Sequence, residues 1–475
     1  MIRLSFSAFL CYLRTMKGFE NIRYVYFLGI GGIGMSALAR WFLGNGFIVG
    51  GYDRENTPIT KQLIQQGAQI HFEDSPKQIP GVIKAAPDRT LVVFTPAIPQ
   101  EHQERQFLLQ NGFRLFKRSE ILGKITQNFK TLAVAGTHGK TTTSSLLTHI
   151  LHTAKFDITA FVGGMMSNYE SNFIPNLQTD AFAIVEADEF DRSFLQLHPQ
   201  HAILTTAEAD HLDIYENESA VEEAFAAFLS QVSPTGQIWA GPSVPASLLE
   251  GRKNVLRYGE NHPYSFKGLR QQQGQWIFDW QLGDIFLPEV PLVLPGKHNL
   301  ENATAAAALA LQVGVKPDDL RLAMRTYRGV KRRFEFVINR ADKTLIDDYA
   351  HHPTEVRAAI EAAKTLFPKR ELTVIFQPHL FTRTRDFADG FAESLNLADR
   401  VILMDIYPAR EKPIEGVSSD LIARKITKSK VEQVSEADMD SFLREHATDW
   451  SLVMTLGAGS IYRYLPLLKE IMDKK

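Results

Sequence analysis

Cysteine is almost absent from this chain of 475 residues, in which Cys11 is the single example. One cysteine cannot close an internal disulfide, and it excludes a metal site made of several thiolates. This usage is typical of a reducing compartment, so we expect a cytoplasmic protein. The chain also has no excess of either charge: 52 Lys and Arg residues against 54 Asp and Glu residues give a formal net charge of −2 at pH 7. Without a basic excess, nucleic acid is not an expected partner.

Long apolar runs are absent as well. The run from Leu4 to Leu13 follows Arg3 in the manner of a signal peptide, but it is too short to span a bilayer, and no cleavage site of small residues follows it. We therefore expect no membrane partner. We interpret residues 1–20 as an extension before the folded chain, either a disordered tail or the result of an upstream start; export from the cell is the alternative.

A phosphate-binding loop is the strongest motif that the sequence does contain. Residues 134–143 read V-A-G-T-H-G-K-T-T-T, after a strand-like segment and before a helix-like one. Gly136 and Gly139 let the backbone turn its N–H groups toward a polyphosphate, Lys140 supplies a charge, and Thr141 supplies a hydroxyl for Mg²⁺. The first glycine is displaced from the usual G-x-x-x-x-G-K-[ST] spacing, because Val134 stands there. A glycine turn that only caps a helix is the alternative, but the flanking pattern favours binding of a nucleoside triphosphate.

A second glycine-rich turn lies near the start of the chain. Residues 29–34 read G-I-G-G-I-G after a strand-like segment, and a second such segment ends at Asp53. This pattern fits the dinucleotide fingerprint, in which glycines allow a pyrophosphate to approach the start of a helix. It does not say which nucleotide is bound.

The remaining pattern predicts an α/β protein with three domains. A length of 475 residues suggests two to four domains, and short apolar strands alternate with helical patterns in three blocks, as in parallel sheets. We predict an N-terminal Rossmann-like domain over 21–128, a central P-loop domain of the ATPase type over 129–328 and a C-terminal Rossmann-like domain over 329–475. The sequence does not fix the oligomeric state; we expect a monomer or a weak homodimer.

Acidic residues cluster after two predicted strands of the central block. Residues 186–191 read E-A-D-E-F-D, and residues 208–213 read E-A-D-H-L-D. The carboxyl ends of parallel strands beside a P-loop are where Mg²⁺ ligands belong, so two such clusters predict two metal ions. For either cluster alone, a solvated acidic loop is the alternative.

Polar residues at later strand ends and helix starts predict further binding groups. Asn299 either caps an alanine-rich helix or joins His298 and Asn302 in contacting a nucleobase. In the third block, the runs D-D-Y-A-H-H-P at 347–353 and F-Q-P-H-L-F-T-R-T-R-D at 376–386 each end a strand and open a helix. Such a set suits a small zwitterion whose carboxylate an arginine holds in bidentate fashion; zinc bound by the adjacent histidines is the weaker alternative.

Taken in order, these motifs resemble the Mur ligase family. The resemblance also includes G-K-H-N-x-x-N at 296–302 and G-V-x-R-R-F-E at 329–335, and it covers the chain from about residue 21 to its end. It implies a sugar-nucleotide domain, a central ATPase and an amino-acid domain. It further implies that ATP phosphorylates the lactyl carboxylate of UDP-N-acetylmuramate and that the amine of L-alanine displaces phosphate, the first peptide step of peptidoglycan precursor synthesis.

The resemblance also assigns residues to roles. ATP binding falls to Gly136, Thr137, His138, Gly139, Lys140, Thr141, Thr142, His298, Asn299, Asn302, Arg333 and Asp348. Metal binding, with two Mg²⁺ expected, falls to Thr141, Glu189 and His211. The UDP-sugar falls to Gly29, Gly31, Gly32, Gly34 and Asp53, and the alanine pocket to Tyr349, His351, His352 and Arg383. The catalytic set is Lys140, Glu189, His211, Arg333 and His351.

Several positions depart from the family pattern. Thr206 stands where Asn is common, Leu380 and Phe381 replace a more usual Arg-Tyr, and Thr95-Pro96-Ala97 replaces Ser-Ser-Ala. No lysine lies between His211 and Arg252, so the carbamylated lysine of later-acting members is absent, as in the alanine-adding branch. The alternatives are a murein-peptide recycling ligase with a tripeptide acceptor, a nicotinamide-dependent dehydrogenase, and a nucleotide-binding regulator without activity.

Overall fold

The computed structural model describes residues 18–176, 180–208, 215, 217–272, 275–292, 294–409 and 411–473. Most of the predicted extension, and His211 in the second acidic cluster, lie outside the described residues. The chain forms two compact units. The first comprises the chain up to residue 268 together with 279–290 and 303–327, and the second comprises 269–278, 291–302 and the chain from 328 onward.

A parallel sheet of five strands opens the first unit. Its strands are β1 (Tyr24–Leu28), β2 (Ile48–Tyr52), β3 (Gln69–His71), β4 (Thr90–Phe94) and β5 (Leu115–Lys117). The order β3-β2-β1-β4-β5 reverses between β1 and β4, which is the doubly wound topology. The helices are α1 (Ile33–Gly44), α2 (Pro58–Gln65), α3 (Gly81–Lys84), α4 (Gln103–Gln110) and α5 (Arg118–Thr126).

The larger sheet of the first unit has seven strands and is parallel except at one edge. Its strands are β6 (Lys130–Ala135), β7 (Ile158–Met166), β8 (Ser171–Ile174), β9 (Phe182–Glu186), β10 (His201–Leu204), β11 (Ile238–Ala240) and β12 (Val255–Arg257). The order is β12-β11-β10-β6-β9-β7-β8, and β8 pairs antiparallel with β7. The helices α6 (Lys140–Thr153) and α7 (Glu218–Ser230) accompany it. The central position of β6 places the P-loop in the middle of the sheet edge.

One apolar core joins these two sheets. The same cluster of buried side chains contains Val25 and Phe27 of β1 and Ala133 and Ala135 of β6. Helix α1 packs on β7 and β8. The first two blocks of the sequence therefore share a core within one unit.

The predicted alanine-rich helix is present, and a small sheet precedes it. A three-stranded sheet is formed by β13 (Tyr264–Gln272), β14 (Gln275–Leu282) and β15 (Ile285–Pro291). Helices α8 (Lys297–Gln312) and α9 (Pro317–Thr326) follow. Small alanine side chains let α8 pack closely, and those from Ala305 to Ala308 are fully buried.

The second unit contains a six-stranded sheet. Its strands are β16 (Glu335–Asn339), β17 (Thr344–Asp348), β18 (Leu372–Phe376), β19 (Arg400–Met404), β20 (Lys430–Val434) and β21 (Leu452–Leu456). The order is β16-β17-β21-β18-β19-β20, and only the pairing of β16 with β17 is antiparallel. The helices are α10 (Pro353–Leu366), α11 (Phe381–Asp386), α12 (Ala388–Leu395), α13 (Asp420–Ala423), α14 (Met439–His446) and α15 (Leu465–Asp473).

The predicted α/β class with parallel sheets is confirmed. The central strands β18 and β19 read L-T-V-I-F and R-V-I-L-M, whereas β16 and β20 read E-F-V-I-N and K-V-E-Q-V. Both are edge strands with only partly buried, charge-bearing sequences, so they lack the continuous apolar run of a central strand. Among the helices described, none has the length and apolar character needed to cross a membrane.

Candidate active site

The P-loop joins β6 to α6 through two glycines that no other residue could replace without distortion. Gly136 has a φ of +130° and Gly139 a φ of +81°. A Cβ on Gly136 would come within 2.1 Å of Thr205 Oγ1 and 2.8 Å of Thr206 N. The loop therefore presses directly against the end of β10, and its shape depends on both conformational freedom and close approach.

Lys140 is bound at its tip by both the loop and a buried acid. Its Nζ donates to Gly136 O at 2.7 Å and to Thr137 O at 3.2 Å, and it lies 2.7 and 2.8 Å from the two carboxylate oxygens of Glu189. Burial opposes the charged ammonium, but the surrounding carboxylates, Glu189 foremost, outweigh it and raise the pKa of Lys140. Burial raises the pKa of Glu189 to about 7 in spite of the lowering effect of Lys140.

Glu186 is a second acid beside the start of α6; it is partly buried and was not among the predicted site residues. It ends β9, and its Oε1 accepts from Thr141 Oγ1 at 2.9 Å while its Oε2 accepts from Gly163 N at 2.7 Å. Gly163 must lack a side chain, because a Cβ there would lie 2.4 Å from Glu186 Oε1. The sequence signal was present in the E-A-D-E run, but the run alone does not say which of its carboxylates faces Thr141.

These groups suit a magnesium ion. Hard cations such as Mg²⁺ take oxygen ligands, and the hydroxyl of Thr141 with the carboxylates of Glu186 and Glu189 supplies them at the start of α6. The donor set contains no thiolate, which agrees with that preference. Of the two predicted ligands, Thr141 bonds to Glu186 and Glu189 bonds to Lys140, the residue that precedes Thr141.

The other side of the loop is anchored to the strand end after β10. Thr206 Oγ1 accepts from His138 N at 2.9 Å, and Thr137 Oγ1 donates to Glu208 O at 2.9 Å. His138 Nε2 lies 3.4 Å from Glu208 Oε2. Thr206, noted as a departure from the family pattern, therefore has a structural role in holding the loop. Thr142 is buried in the first turn of α6.

The N-terminal glycine loop is held by Asp53. Gly31 N donates to Asp53 Oδ2 at 2.6 Å, and the other oxygen of Asp53 accepts from Glu55 N at 3.1 Å. Gly29 has a φ of +87° and its N donates to Tyr52 O at 2.8 Å. Asp53 braces the loop that it was predicted to assist. Gly32 and Gly34 complete the turn into α1, of which Gly32 is the residue before the helix.

In the second unit, Asn299 and Asn302 lie in the first turns of α8 and are buried. The helix begins at Lys297, so Asn299 is not the N-cap, and that alternative is wrong. Its Nδ2 donates to Pro295 O at 2.7 Å, and Asn302 Nδ2 donates to Asn299 Oδ1 at 3.4 Å. His298 folds beside Gly296, where a Cβ would come within 2.6 Å of the ring.

Asp348 and Arg333 lie together at the carboxyl end of β17. Phe334 N donates to Asp348 Oδ2 at 2.7 Å, and Ala350 N donates to Oδ1 at 2.8 Å. Burial raises the pKa of Asp348 to about 6, although Arg333 and these two N–H groups lower it. The guanidinium of Arg333 lies 5.2 Å from the centre of the Tyr349 ring, within cation–π range.

Two residues of the predicted alanine pocket, Tyr349 and His351, are in contact. His351 Nδ1 lies 2.9 Å from Tyr349 O, and the His351 ring contacts Tyr349 and His379 edge to face. His352 caps α10, where its Nδ1 accepts from Thr354 N at 3.4 Å, and it packs on Phe387. The cap and the packing give His352 a structural role.

Arg383 is buried in α11, the short helix that follows Leu380. Leu380 has a φ of +70°, an unusual conformation for a leucine, and Thr382 N donates to Glu411 Oε2 at 3.0 Å. The departures from the family pattern at Leu380 and Phe381 therefore lie at the start of the helix that contains Arg383.

Three family models match the chain in order. They are described as the Mur ligase family catalytic domain at residues 24–130, the Mur ligase middle domain at 134–310 and the Mur ligase glutamate ligase domain at 332–459. Each of the three regions contains one of the motif groups described above.

Relatives and solved structures agree with these models. The UDP-N-acetylmuramate–L-alanine ligase of Parabacteroides distasonis is 47% identical over 96% of this chain and 98% of its own length, and that of Flavobacterium johnsoniae is 44% identical over 96% and 99%. The solved UDP-N-acetylmuramate–alanine ligase of Thermotoga maritima is 26% identical, with a TM-score of 0.78 over 94% of this chain and 98% of that one. A murein peptide ligase of Psychrobacter arcticus, 24% identical with a TM-score of 0.69 over 94% and 98%, shares the fold. Since three domain models of one family and relatives above 40% identity cover nearly the whole length, the chain belongs to the Mur ligase family.

Proposed function

We propose that this protein joins L-alanine to the lactyl carboxylate of UDP-N-acetylmuramate at the expense of ATP, giving ADP and phosphate. The observation that carries the proposal is the P-loop whose Lys140 pairs with the buried carboxylate of Glu189, in a chain whose two relatives described above, both more than 40% identical to it, are named for this ligation. The product would be the first peptide bond of a peptidoglycan precursor.

A carboxylate resists attack by an amine, which is why the reaction needs ATP. Transfer of the γ-phosphoryl group to a lactyl carboxylate oxygen gives an acyl phosphate. The alanine amine then attacks the carbonyl carbon, loses a proton, and expels phosphate as the carbon–oxygen bond breaks. The protein must neutralise clustered negative charge and align the partners rather than supply covalent chemistry.

The first unit supplies the groups for phosphoryl transfer. The backbone from Gly136 to Thr142 would bind the phosphates, and Lys140 would place a fixed positive charge beside them, since neighbouring carboxylates keep it protonated. Because the site is partly shielded from water, the attraction between this charge and the phosphates is stronger than it would be in water. The glycine loop and Asp53 would hold the UDP-sugar.

Mg²⁺ fits the oxygen donors at the start of α6, and we assign it to Thr141 and Glu189 with Glu186 as a further ligand. When bound, it would neutralise phosphate charge. A second ion at His211 stays a prediction from the family motif.

We assign the remaining contacts by motif. In the second unit, His298, Asn299 and Asn302 would bind adenine, and Arg333 and Asp348 would contact the nucleotide. Tyr349, His351, His352 and Arg383 would form the alanine pocket. We place the domain borders at 21–128, 129–328 and 329–475, with the protein a cytoplasmic monomer or weak homodimer.

ADP release by the purified full chain tests the proposal. With UDP-N-acetylmuramate and Mg-ATP, we expect release that depends on alanine and is far slower with the tripeptide acceptor of murein recycling. Oxygen-18 in the lactyl carboxylate should appear in the released phosphate, because the acyl phosphate passes that oxygen on. A preference for the tripeptide, or unlabelled phosphate, would contradict the proposal.

The alanine pocket has a matched pair of variants. Arg383→Ala should raise the KM for alanine and leave the KM for ATP unchanged. Arg385→Ala, in the same short helix but exposed and paired with Asp386, should leave both unchanged. A rise in only the ATP KM for Arg383→Ala would place Arg383 elsewhere.

A further inference from the structure

Arg118 lies directly against the glycine loop. It is the first residue of α5, immediately after β5, and its side chain covers Gly34. A Cβ on Gly34 would come within 2.8 Å of Arg118 Nη1 and 2.9 Å of its Cδ. The absence of a side chain at Gly34 therefore makes room for this arginine.

The same arginine reaches the acidic loop that carries Glu189. Arg118 Nη2 donates to Asp188 Oδ2 at 3.3 Å, and the preceding Lys117 donates from Nζ to Asp191 Oδ2 at 2.6 Å. Lys117 N donates to Glu120 Oε2 at 2.6 Å, which fixes the start of the helix. Two consecutive cations of one domain thus hold both ends of the loop.

Hydrogen bonds connect Asp188 to the following residues of the acidic loop, so a movement of Asp188 would also move those residues. Asp188 Oδ1 accepts from Phe190 N at 3.2 Å, and Asp188 O accepts from Phe194 N at 2.9 Å. Asp191 and Arg192 both have a φ of +53°, a strained conformation that surrounding contacts must maintain. Glu189, the partner of Lys140, lies inside this segment.

Arg118 has binding capacity beyond its contact with Asp188. A guanidinium carries five N–H donors, and its side chain is 24% exposed. The glycine loop itself consists of glycine and isoleucine and so brings no positive charge to a diphosphate. The next basic residue along α1 is Arg40, which is buried and bonds to Asn172 and Gln62.

We propose that Arg118 is a positioning residue that couples the diphosphate of the sugar nucleotide at the glycine loop to the metal–triphosphate site through Asp188. The inference rests on the proposed function. A diphosphate beside Gly34 competes with Asp188 for the guanidinium. Asp188 then loses its counter-ion, and the increased negative charge next to Glu189 favours binding of Mg²⁺, which in turn holds the triphosphate. Because coupling between two ligands is reciprocal, the metal nucleotide in turn favours the sugar nucleotide.

Calorimetric binding on the full chain tests this coupling. The affinity for UDP-N-acetylmuramate is measured with and without Mg²⁺ and a non-hydrolysable ATP analogue. We expect the analogue to tighten sugar-nucleotide binding about fivefold or more in the wild type, and Arg118→Gln and Asp188→Asn to bring the ratio close to one. Lys117→Gln, which loses the neighbouring ion pair, should keep the wild-type ratio. Gly34→Ala should reduce the ratio without removing a charge, since its methyl group displaces Arg118.

The outcomes separate this inference from the proposed function. A ratio in Arg118→Gln equal to the wild-type ratio, no coupling in the wild type, or equal loss in Lys117→Gln would each overturn the inference. Melting temperatures near the wild-type value show that the variants are folded. A wild type that releases ADP with alanine but lacks coupling would refute the role of Arg118 and leave the ligase assignment intact.

Discussion

The first compact unit contains two glycine-rich turns that have the same position between a strand and a helix but differ in their charged groups. Each follows a strand in the interior of a parallel sheet and leads into a helix, one after β1 and one after β6. The P-loop carries its own cation, Lys140, bonded to the loop carbonyls and to a buried acid. The N-terminal loop has no charged residue and is braced by one carboxylate, Asp53.

The roles proposed above for the two loops would explain this difference. A loop at which phosphate bonds are broken needs a fixed charge where negative charge develops, since preorganised electrostatics is the main source of such catalysis. A loop that only holds a diphosphate needs close backbone approach, and it can take its positive charge from a neighbouring element. The comparison predicts that substitutions in the P-loop affect turnover, and substitutions in the glycine loop affect affinity.

Removing the cation of the P-loop should have the largest effect. Lys140→Ala should reduce alanine-dependent ADP release by at least about 10³-fold, with little change in melting temperature, because Glu189 with its pKa near 7 can take up a proton. Lys130→Ala, at the exposed start of the same strand, is the control and should retain full activity. Turnover close to normal in Lys140→Ala would refute the P-loop assignment.

The next largest effect should come from adding one methyl group to each loop, which should change the melting temperature of one variant and not of the other. Gly136→Ala places a Cβ 2.1 Å from Thr205 Oγ1 at a φ of +130°, so we expect both a lower melting temperature and loss of activity. Gly32→Ala meets nothing closer than 3.6 Å, and its melting temperature should equal that of the wild type. Equal thermal stability of the two variants would mean that the loops have similar packing after all.

Removing the brace of the glycine loop should weaken binding only. Asp53→Ala leaves Gly31 N without its acceptor, and we expect the KM for UDP-N-acetylmuramate to rise about tenfold with the KM for ATP unchanged. Asp53→Asn keeps an oxygen for Gly31 and should have an intermediate effect. The prediction fails if steady-state kinetics show the change in ATP instead.

The smallest effect that we expect concerns α6, the helix after the P-loop, and the dependence of thermal stability on pH. In α6, burial and the nearby His152 lower the pKa of His149 to about 4, and its ring bonds to Tyr169 and Thr326. An unfolded histidine has a pKa of about 6.5, so the unfolded chain binds more protons between these values and stability falls as the pH falls through them. His149→Gln should therefore lose less melting temperature than the wild type between about pH 7 and about pH 5. The exposed His446→Gln serves as the control and should behave as the wild type does.

Local patterns predicted the elements well and the long-range contacts poorly. Hydrophobic periodicity predicts the strand before Gly136 and the helix after Lys140. The position of the acidic cluster at the end of a predicted strand indicates that it lies beside the P-loop. The contact between Glu186 and Thr141 could not be predicted in this way, because it depends on the pairing of β9 with β6 and β7. Arg118 carries no motif of its own and acquires meaning only from Gly34 and Asp188, which are 84 and 70 positions away in sequence order. The cap that His352 forms at the start of α10 was also missed, because the D-D-Y-A-H-H-P run alone does not show which residue accepts from Thr354 N.

The apolar core shared by β1 and β6 has a practical consequence for work on isolated fragments. A recombinant piece that stops at the sequence border near residue 128 would lack the central-sheet members of this cluster, such as Ala133 and Ala135, and helix α1 would lose β7 and β8. Such a piece would expose greasy surface and tend to aggregate. Inhibitor screening against the N-terminal glycine loop should therefore use a polypeptide that retains the central sheet.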